Sequence, residues 1–298
     1  MPFGSGHGKV TCVTFSGILT AMVTPFDADG GLAEEPTARL IRHLLANGSD
    51  GIVLTGTTGE ASTLSDDEKA RVWDIGVEVS RAERPDAPVI AGTGSNDTRH
   101  AVELTARAAV AGVDAALVVA PYYNRPNRRG LVAHFHAVAN STDLPIVIYN
   151  IPARSGVDMP NDLLAELGQV ENIVAVKQAR AENLAAIDGL DLLAGNDDML
   201  AAVLDLSGSG GILVASHLVG EQMRRMIDEP DERNAIERGL LPLYDALAVA
   251  PACISTKAAL NLLGHDVGGV RLPMVEATSS ELETIKQALD SQGLLARV

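Results

Sequence analysis

The chain has 298 residues and a formal net charge of −16, because 39 acidic residues outnumber 23 basic ones. Such a surface repels phosphate backbones and anionic lipid, which argues against nucleic-acid and membrane partners. Hydrophobic residues make up 46% of the sequence but aromatic residues only 3%, so the core must be built mainly from aliphatic side chains.

The N-terminal segment "MPFGSGHGKVTCVTF" lacks the basic region and long apolar region of a secretory signal. No later run approaches the ~18 apolar residues that a membrane span needs. Cys12 and Cys253 are far apart in the sequence, which favours reduced thiols over a disulfide framework. We therefore predict a soluble, cytoplasmic protein whose residues 1–14 form a loose arm.

Eight short apolar runs recur along the chain, each bounded by turn residues. They are "GILTAMVTPF", "DGIVLTG", "APVIAGTG", "DAALVVAPYY", "LPIVIYNIP", "NIVAVKQA", "LDLLAGN" and "GGILVASH". Continuous apolar runs are typical of parallel strands buried on both faces. Segments between them, such as residues 66–82 and 98–111, have helical spacing of apolar residues. Eight strand and helix units predict a (β/α)8 TIM barrel over residues 15–228, which we favour over a doubly wound sheet.

After His217 the pattern becomes entirely helical. Helices are predicted over residues 221–227, 232–250, 254–263 and 279–292. No linker or low-complexity segment separates them from the preceding units. We therefore predict a C-terminal helical region, residues 229–298, packed on the barrel.

Lys177 ends the apolar run "IVAV", and in a barrel of this kind the chemistry gathers at the C-terminal ends of the strands. An arbitrary lysine at a strand end extends its ammonium into solvent. A lysine in an apolar barrel mouth instead has a lowered pKa, and its neutral amine can form a Schiff base with a carbonyl substrate. The four apolar residues before Lys177 favour the second interpretation.

Other polar residues also fall at strand ends: Thr57 and Thr58 in "GTTGE", Tyr149 in "YNIPARSG", and Arg154 shortly after it. Each alone has an ordinary explanation, as a helix cap, a packed ring or a surface charge. Their convergence with Lys177 at one barrel mouth indicates a catalytic site. The histidines of "HFH" have i, i+2 spacing on a predicted helix, which points the rings apart and argues against a metal site there.

The segments "GTTGE", "PYYNRP", "YNIPARSGV" and "VAVKQA", in this order and at these separations, resemble the dihydrodipicolinate synthase family within the N-acetylneuraminate lyase superfamily of class I aldolases. The resemblance covers nearly the whole chain. It implies a (β/α)8 barrel with C-terminal helices and a homotetramer built as a dimer of dimers. It also implies a first step in which pyruvate condenses with a lysine, with no metal and no other cofactor.

The resemblance implies a role for each matching residue. Lys177 is the Schiff-base lysine, and Tyr149 relays protons with help from the Thr57 hydroxyl. Tyr123 matches a tyrosine that enters from a neighbouring subunit to complete this relay. Thr58 binds the pyruvate carboxylate, at a place where we expect the glycine-flanked turn to feed a helix N-terminus.

Three further residues bear on the substrates. The resemblance implies that Gly195 and Leu213 line the substrate pocket, and that Arg154 holds the carboxylate of an aldehyde second substrate. An arginine at this position favours L-aspartate-4-semialdehyde, with 4-hydroxy-tetrahydrodipicolinate as product, in lysine and diaminopimelate biosynthesis. The alternatives are a pyruvate-dependent class I aldolase or lyase acting on a sugar acid or another keto acid, and a catalytically idle barrel that serves as a binding protein.

Two sets of charged residues bear on inhibition by lysine and on attraction of the pyruvate anion. Family members inhibited by lysine bind it through histidine and glutamate side chains, but the matching positions here hold Asp66, Lys69 and His100. We therefore expect weak or absent inhibition by L-lysine. The arginines that follow "PYYN", at positions 125, 128 and 129, either make the barrel mouth locally positive for the pyruvate anion or form helix-capping or interface ion pairs.

Overall fold

The structure is a computed structural model, and it describes residues 15–182 and 184–295. The predicted N-terminal arm, with Cys12, lies outside the described residues. Eight strands form the sheet: β1 (Gly17–Ala21), β2 (Gly51–Leu54), β3 (Val89–Gly92), β4 (Ala115–Val119), β5 (Ile146–Asn150), β6 (Ile173–Gln178), β7 (Asp191–Ala194) and β8 (Gly210–Leu213).

The helices alternate with the strands and then continue beyond them. They are α1 (Glu34–Ala46), α2 (Asp66–Glu83), α3 (Thr98–Ala111), α4 (Arg128–Ala139), α5 (Pro152–Ser155), α6 (Asn161–Leu167), α7 (Leu200–Asp205), α8 (Ser216–Asp228), α9 (Arg233–Leu247), α10 (Ala252–Leu262) and α11 (Ser279–Ser291). A short 3-10 helix, Asp197–Met199, precedes α7.

Every strand pairs in parallel with its neighbours in sequence, and β8 pairs with β1 to close the barrel. Gly17 and Gly210 face each other at this closure. Both have positive φ angles, and a Cβ on Gly210 would lie 2.1 Å from the Gly17 carbonyl oxygen. Glycine at position 210 therefore permits β1 and β8 to approach closely. The predicted TIM barrel is confirmed.

Aliphatic side chains from all eight strands fill the barrel interior: Leu19, Val53, Ile90, Leu117, Val147, Ala175, Leu193 and Ile212. The alternate residues of each strand face outward and pack against the helices, which explains why the runs are apolar without interruption. The single tryptophan, Trp73 on α2, is fully buried in this outer layer.

The C-terminal helices predicted from the sequence are present as α9, α10 and α11. They pack on one another, α9 and α10 also pack on α8, and α9 contacts the 3-10 helix that follows β7. This contact brings the helical region to the end of the barrel where the strands terminate. The polar strand-end residues are therefore covered in part by α9 and α10.

Candidate active site

Lys177 lies inside the barrel near the C-terminal end of β6. Side chains alternate between the two faces of a strand, so Lys177 faces the same side as Ala175, which packs in the barrel interior. Its register partner on β5 is Tyr149, and Lys177 Nζ lies 4.2 Å from the centroid of the Tyr149 ring. Lys177 is only 5% exposed, so its side chain does not extend into solvent.

Burial lowers the pKa of Lys177 from 10.5 to about 7; nearby Asp197 raises it and Arg154 lowers it. Within the described residues the Lys177 ammonium has neither an ion-pair partner nor a hydrogen-bond partner. The charged form therefore loses its hydration without gaining a direct replacement. A substantial fraction of the amine is neutral near pH 7, and the neutral amine is the form that attacks a carbonyl carbon.

Tyr149 is buried beside Lys177. Burial raises the pKa of the Tyr149 hydroxyl to about 12, with an opposing effect of Arg154. The hydroxyl therefore keeps its proton at neutral pH and can donate it. A protonated hydroxyl next to a partly neutral amine is a suitable pair for the acid and base steps of imine formation.

Thr57 and Thr58 lie in an irregular turn, residues 55–64, between β2 and α2. Thr58 is buried and Thr57 is exposed. The expectation that this turn feeds a helix N-terminus at Thr58 is wrong, because α2 begins only at Asp66 and is capped by Ser65. Any anion at Thr58 must therefore be bound by the turn itself, without the help of the helix dipole.

Trp73 fixes the beginning of this turn. Its indole Nε1 donates a hydrogen bond to Thr55 Oγ1 at 2.8 Å, and the Thr55 hydroxyl donates in turn to the Gly92 carbonyl on β3. Thr55 has a positive φ of 52°, which turns the chain sharply after β2. The two threonines are thereby directed to the barrel mouth.

A cavity of about 880 Å³ joins these side chains. Its lining includes Lys177, Tyr149, Thr57, Thr58, Arg154 and Gly195. Its outer part is bounded by α9 and α10, through residues such as Tyr244 and Cys253. The structure thus brings together six of the eight residues that the sequence predicts for the site, in a volume suited to a small organic substrate.

Arg154 belongs to the four-residue helix α5, directly after β5. Its side chain is exposed and, in the part of the chain that the structure describes, has no carboxylate partner. Gly195, at the end of β7, is buried, and its N–H donates to the Gln178 carbonyl at 2.8 Å. A Cβ at Gly195 would lie 2.8 Å from the Ala179 Cβ, so only glycine fits there.

The placement of Leu213 corrects one prediction. The sequence assigns it to the substrate pocket, but its side chain packs in the outer layer with residues such as Val219 and Met223. Ile212 points into the barrel, so alternation along β8 directs Leu213 outward. Val214, the next residue, lines the cavity instead.

Tyr123 is the second predicted residue that this chain does not bring to its own Lys177. It is 89% exposed, with a positive φ of 72°, whereas its neighbour Tyr122 lines the cavity. Tyr123 lines a separate cavity that shares Tyr122 and Arg154 with the one that holds Lys177. The structure therefore does not bring Tyr123 to the Lys177 of its own chain.

Asp197 is a cavity residue that the sequence interpretation missed. Its Oδ1 accepts hydrogen bonds from the N–H groups of Val214 at 2.8 Å and Ala215 at 3.0 Å. Burial raises the pKa of Asp197, and its charge raises the pKa of Lys177. The segment "AGND" begins at the last residue of β7, so the rule that chemistry gathers at strand ends is the sequence signal that indicates Asp197.

Two groups of charges are already paired. Asp66 lies 3.1 Å from Lys69 Nζ and 3.0 Å from His100 Nε2, at the edge of the same cavity. Arg128 contacts Asp162 and Glu166 on α6, at 2.5 Å and 2.6 Å. Arg128 is therefore held in ion pairs with another helix of its own chain, and its charge is not free to attract pyruvate.

No group of three or more His, Cys, Asp or Glu side chains in residues 15–182 and 184–295 could hold a metal ion. In the same residues no single helix is long and apolar enough to cross a membrane, and α9 with α10 meets the length and composition requirement only as a pair bent by 107°.

The fold and the site define a class: TIM-barrel enzymes with a buried lysine at the strand ends. Comparison with known proteins identifies the family. The dihydrodipicolinate synthetase family matches residues 14–292. The chain belongs to this family and is an enzyme of the lyase class.

Individual relatives are similar over almost their full length. The 4-hydroxy-tetrahydrodipicolinate synthase of Thermosynechococcus vestitus is 43% identical over 294 residues, which cover 94% of this chain and 98% of the relative. A crystal structure of DHDPS from Cyanidioschyzon merolae with lysine bound has a TM-score of 0.91 and 38% identity, covering 94% and 99% of the two chains. A monomeric dihydrodipicolinate synthase variant has a TM-score of 0.87 and 32% identity, covering 94% and 98%.

Proposed function

We propose that the enzyme condenses pyruvate with L-aspartate-4-semialdehyde, through a Schiff base on Lys177, to give 4-hydroxy-tetrahydrodipicolinate. The observation that carries this proposal is the buried Lys177 amine, with a pKa of about 7, beside the protonated Tyr149 hydroxyl. Relatives of 40 to 43% identity are 4-hydroxy-tetrahydrodipicolinate synthases, which supports this reaction over the sugar-acid alternative. The reaction belongs to lysine and diaminopimelate biosynthesis.

The first step joins Lys177 to pyruvate. The neutral Nζ attacks the C2 carbonyl carbon, and the carbonyl oxygen leaves as water after it has received protons. Tyr149, assisted by Thr57, donates and recovers these protons. Thr58 holds the pyruvate carboxylate. The protonated imine then withdraws electrons from the adjacent methyl group, which loses a proton to form an enamine.

The second step forms a carbon–carbon bond. The enamine carbon attacks the aldehyde carbon, and the aldehyde oxygen takes up a proton and becomes a hydroxyl. The amino group of the second substrate then attacks the imine carbon, and Lys177 leaves as the free amine while the ring closes. The imine supplies the electron sink, so the proposed chemistry uses neither a metal nor another cofactor.

Arg154 is proposed to bind the carboxylate of the second substrate. Its guanidinium lines the cavity without a carboxylate partner among the described residues, which leaves it available for a bidentate contact. In an Arg154→Met variant we expect KM for the semialdehyde to rise about 10-fold, because one charged hydrogen-bonded contact is lost. An unchanged KM for the semialdehyde would point to a second substrate without this carboxylate.

The test of the reaction is intact-mass spectrometry after incubation with pyruvate and borohydride. The parent enzyme should gain the mass of one reduced pyruvate adduct, and peptide mapping should place it on Lys177. Lys177→Met should gain none. Lys69→Met is the matched control, since it removes another buried lysine, at 7% exposure, and should keep the adduct. A parent protein without an adduct would favour the idle barrel.

Tyr123 is proposed to complete the proton relay of a neighbouring subunit in a homotetramer arranged as a dimer of dimers. Mixing Tyr123→Phe with Lys177→Ala, each inactive alone, and allowing subunits to exchange should restore activity. A dimer of one copy of each contains one complete site, so about a quarter of the parental activity should return. A fully active monomer in sedimentation would contradict the assembly. The monomeric relative makes this measurement necessary.

We also propose that the enzyme resides in the cytoplasm, with the two substrates and further copies of itself as partners. Cys253 is a free buried thiol, as a reducing compartment allows. The net charge of −16 supports the absence of nucleic-acid and membrane partners.

A further inference from the structure

Glu60 closes the turn that carries Thr57 and Thr58. Its N–H donates to the Thr57 carbonyl at 3.1 Å, and its own carbonyl accepts from the Thr63 N–H at 3.0 Å. Glu60 is 3% exposed and has a positive φ of 54°. A residue other than glycine is seldom found in this backbone conformation, so interactions of the side chain must hold it there.

The Glu60 carboxylate is held by the C-terminal region. Oε1 accepts from Lys257 Nζ on α10 at 2.7 Å, and Oε2 accepts from the Arg271 backbone N–H at 2.9 Å. Lys257 also donates to the Gly269 carbonyl at 2.6 Å, and its Nζ lies 4.0 Å from the centroid of the Phe26 ring. The Glu60 carboxylate and the Lys257 ammonium therefore each have two hydrogen-bond partners.

A buried ion pair is not explained by stability alone. Taking two charges out of water opposes folding, and a well-packed apolar pair of similar volume is often as stable. Lys257 is 2% exposed and Glu60 3%, so the loss of hydration is nearly complete. A charged pair instead fixes the orientation of a side chain. The Glu60 carboxylate can bind Lys257 Nζ and the Arg271 N–H together in only one orientation.

We propose that Lys257 is a positioning residue for pyruvate: through Glu60 it fixes the turn that presents Thr57 and Thr58 to the Schiff-base lysine. This inference rests on the proposed function. Lys257 does not line the cavity, and the cavity lining includes Glu60, Thr57 and Thr58. Its effect therefore passes through the Glu60 carboxylate and backbone and involves no direct contact with substrate.

The test measures the pyruvate concentration that half-saturates borohydride trapping on the full-length enzyme. In Lys257→Met the methionine keeps the apolar stem but cannot hold Glu60, so this concentration should rise about 10-fold. The pH midpoint of trapping should stay that of the parent, because Lys177 and its surroundings are unchanged. Lys257→Arg keeps the charge and should recover most of the parental half-saturation.

Arg233→Met is the matched control. Arg233 is also largely buried in the C-terminal region, with a side chain 12% exposed, but its partners are Asp205 and the Met226 carbonyl. It should lower thermal stability and leave the half-saturation unchanged. Should Lys257→Met not fold, Lys257→Arg carries the test, with a rise of about 2-fold to 3-fold expected.

The outcomes separate the two proposals. A parent enzyme that forms no adduct overturns the proposed function, and this inference with it. A parent enzyme that forms the adduct, together with Lys257 variants that trap pyruvate at parental half-saturation, overturns this inference alone. An equal rise in Arg233→Met also overturns it, since the effect would then follow from general loosening of the C-terminal helices.

Discussion

Lys177 and Lys257 are almost equally buried, at 5% and 2% exposure, yet their surroundings differ. Lys257 donates to the Glu60 carboxylate and to a carbonyl, whereas Lys177 lies over the face of the Tyr149 ring and, among the described residues, has no direct polar partner. Burial lowers the pKa of both, but only at Lys257 does a hydrogen-bonded carboxylate raise it again. Burial alone therefore does not make a lysine reactive; the absence of a direct counter-charge does.

The largest effect should appear when Lys257 is replaced by Met. Glu60 would remain buried without its cation, which should lower the free energy of unfolding by about 3 to 5 kcal/mol. Chemical denaturation at neutral pH would measure the change. A loss of unfolding free energy below about 1 kcal/mol would show that the pair contributes no more than a solvent-exposed ion pair.

The same substitution at Lys177 should act in the opposite direction. The folded pKa of about 7 lies below the unfolded value of 10.5, so the unfolded chain binds more protons between these pH values and the lysine opposes folding. Lys177→Met should therefore raise the free energy of unfolding by about 2 to 4 kcal/mol at pH 7. The difference should shrink as the pH rises towards 10.5. A variant less stable than the parent at pH 7 would break the comparison.

The rate of borohydride trapping should increase with pH, with a midpoint near 7 that reports the Lys177 amine. Arg154 lowers this pKa, so Arg154→Met should move the midpoint upward, by less than about one unit because the arginine is exposed. Added salt should screen Arg154 and thereby raise the midpoint of the parent enzyme. A downward shift would mean that another group controls the midpoint.

The smallest effect concerns Lys69, a third buried lysine at 7% exposure. Lys69 and His100 already occupy the Asp66 carboxylate, so no carboxylate of this cluster is left for the ammonium of free L-lysine. Millimolar L-lysine should leave more than half of the initial rate. The relative whose crystal structure has lysine bound provides a comparison for this assay. Inhibition of the present enzyme by half would contradict the expectation.

The sequence predicts most of the barrel and the centre of its site, because continuous apolar runs mark each buried strand and Lys177 interrupts one of them. It fails where a single residue of register decides the outcome, as for Leu213 and Val214. It also fails for the turn at Thr58, whose length before α2 follows no periodic pattern. The pairing of Glu60 with Lys257 joins residues 197 positions apart, and no local pattern encodes such a contact.

The hydrogen bond from Trp73 to Thr55 provides an optical signal. Trp73 is the single tryptophan of the chain, it is shielded from solvent, and its indole contacts the residue that begins the Thr57 and Thr58 turn. We expect its fluorescence emission to change when this contact changes. A pyruvate titration followed by tryptophan emission would therefore observe movement of the turn in the unlabelled enzyme, separately from the covalent step.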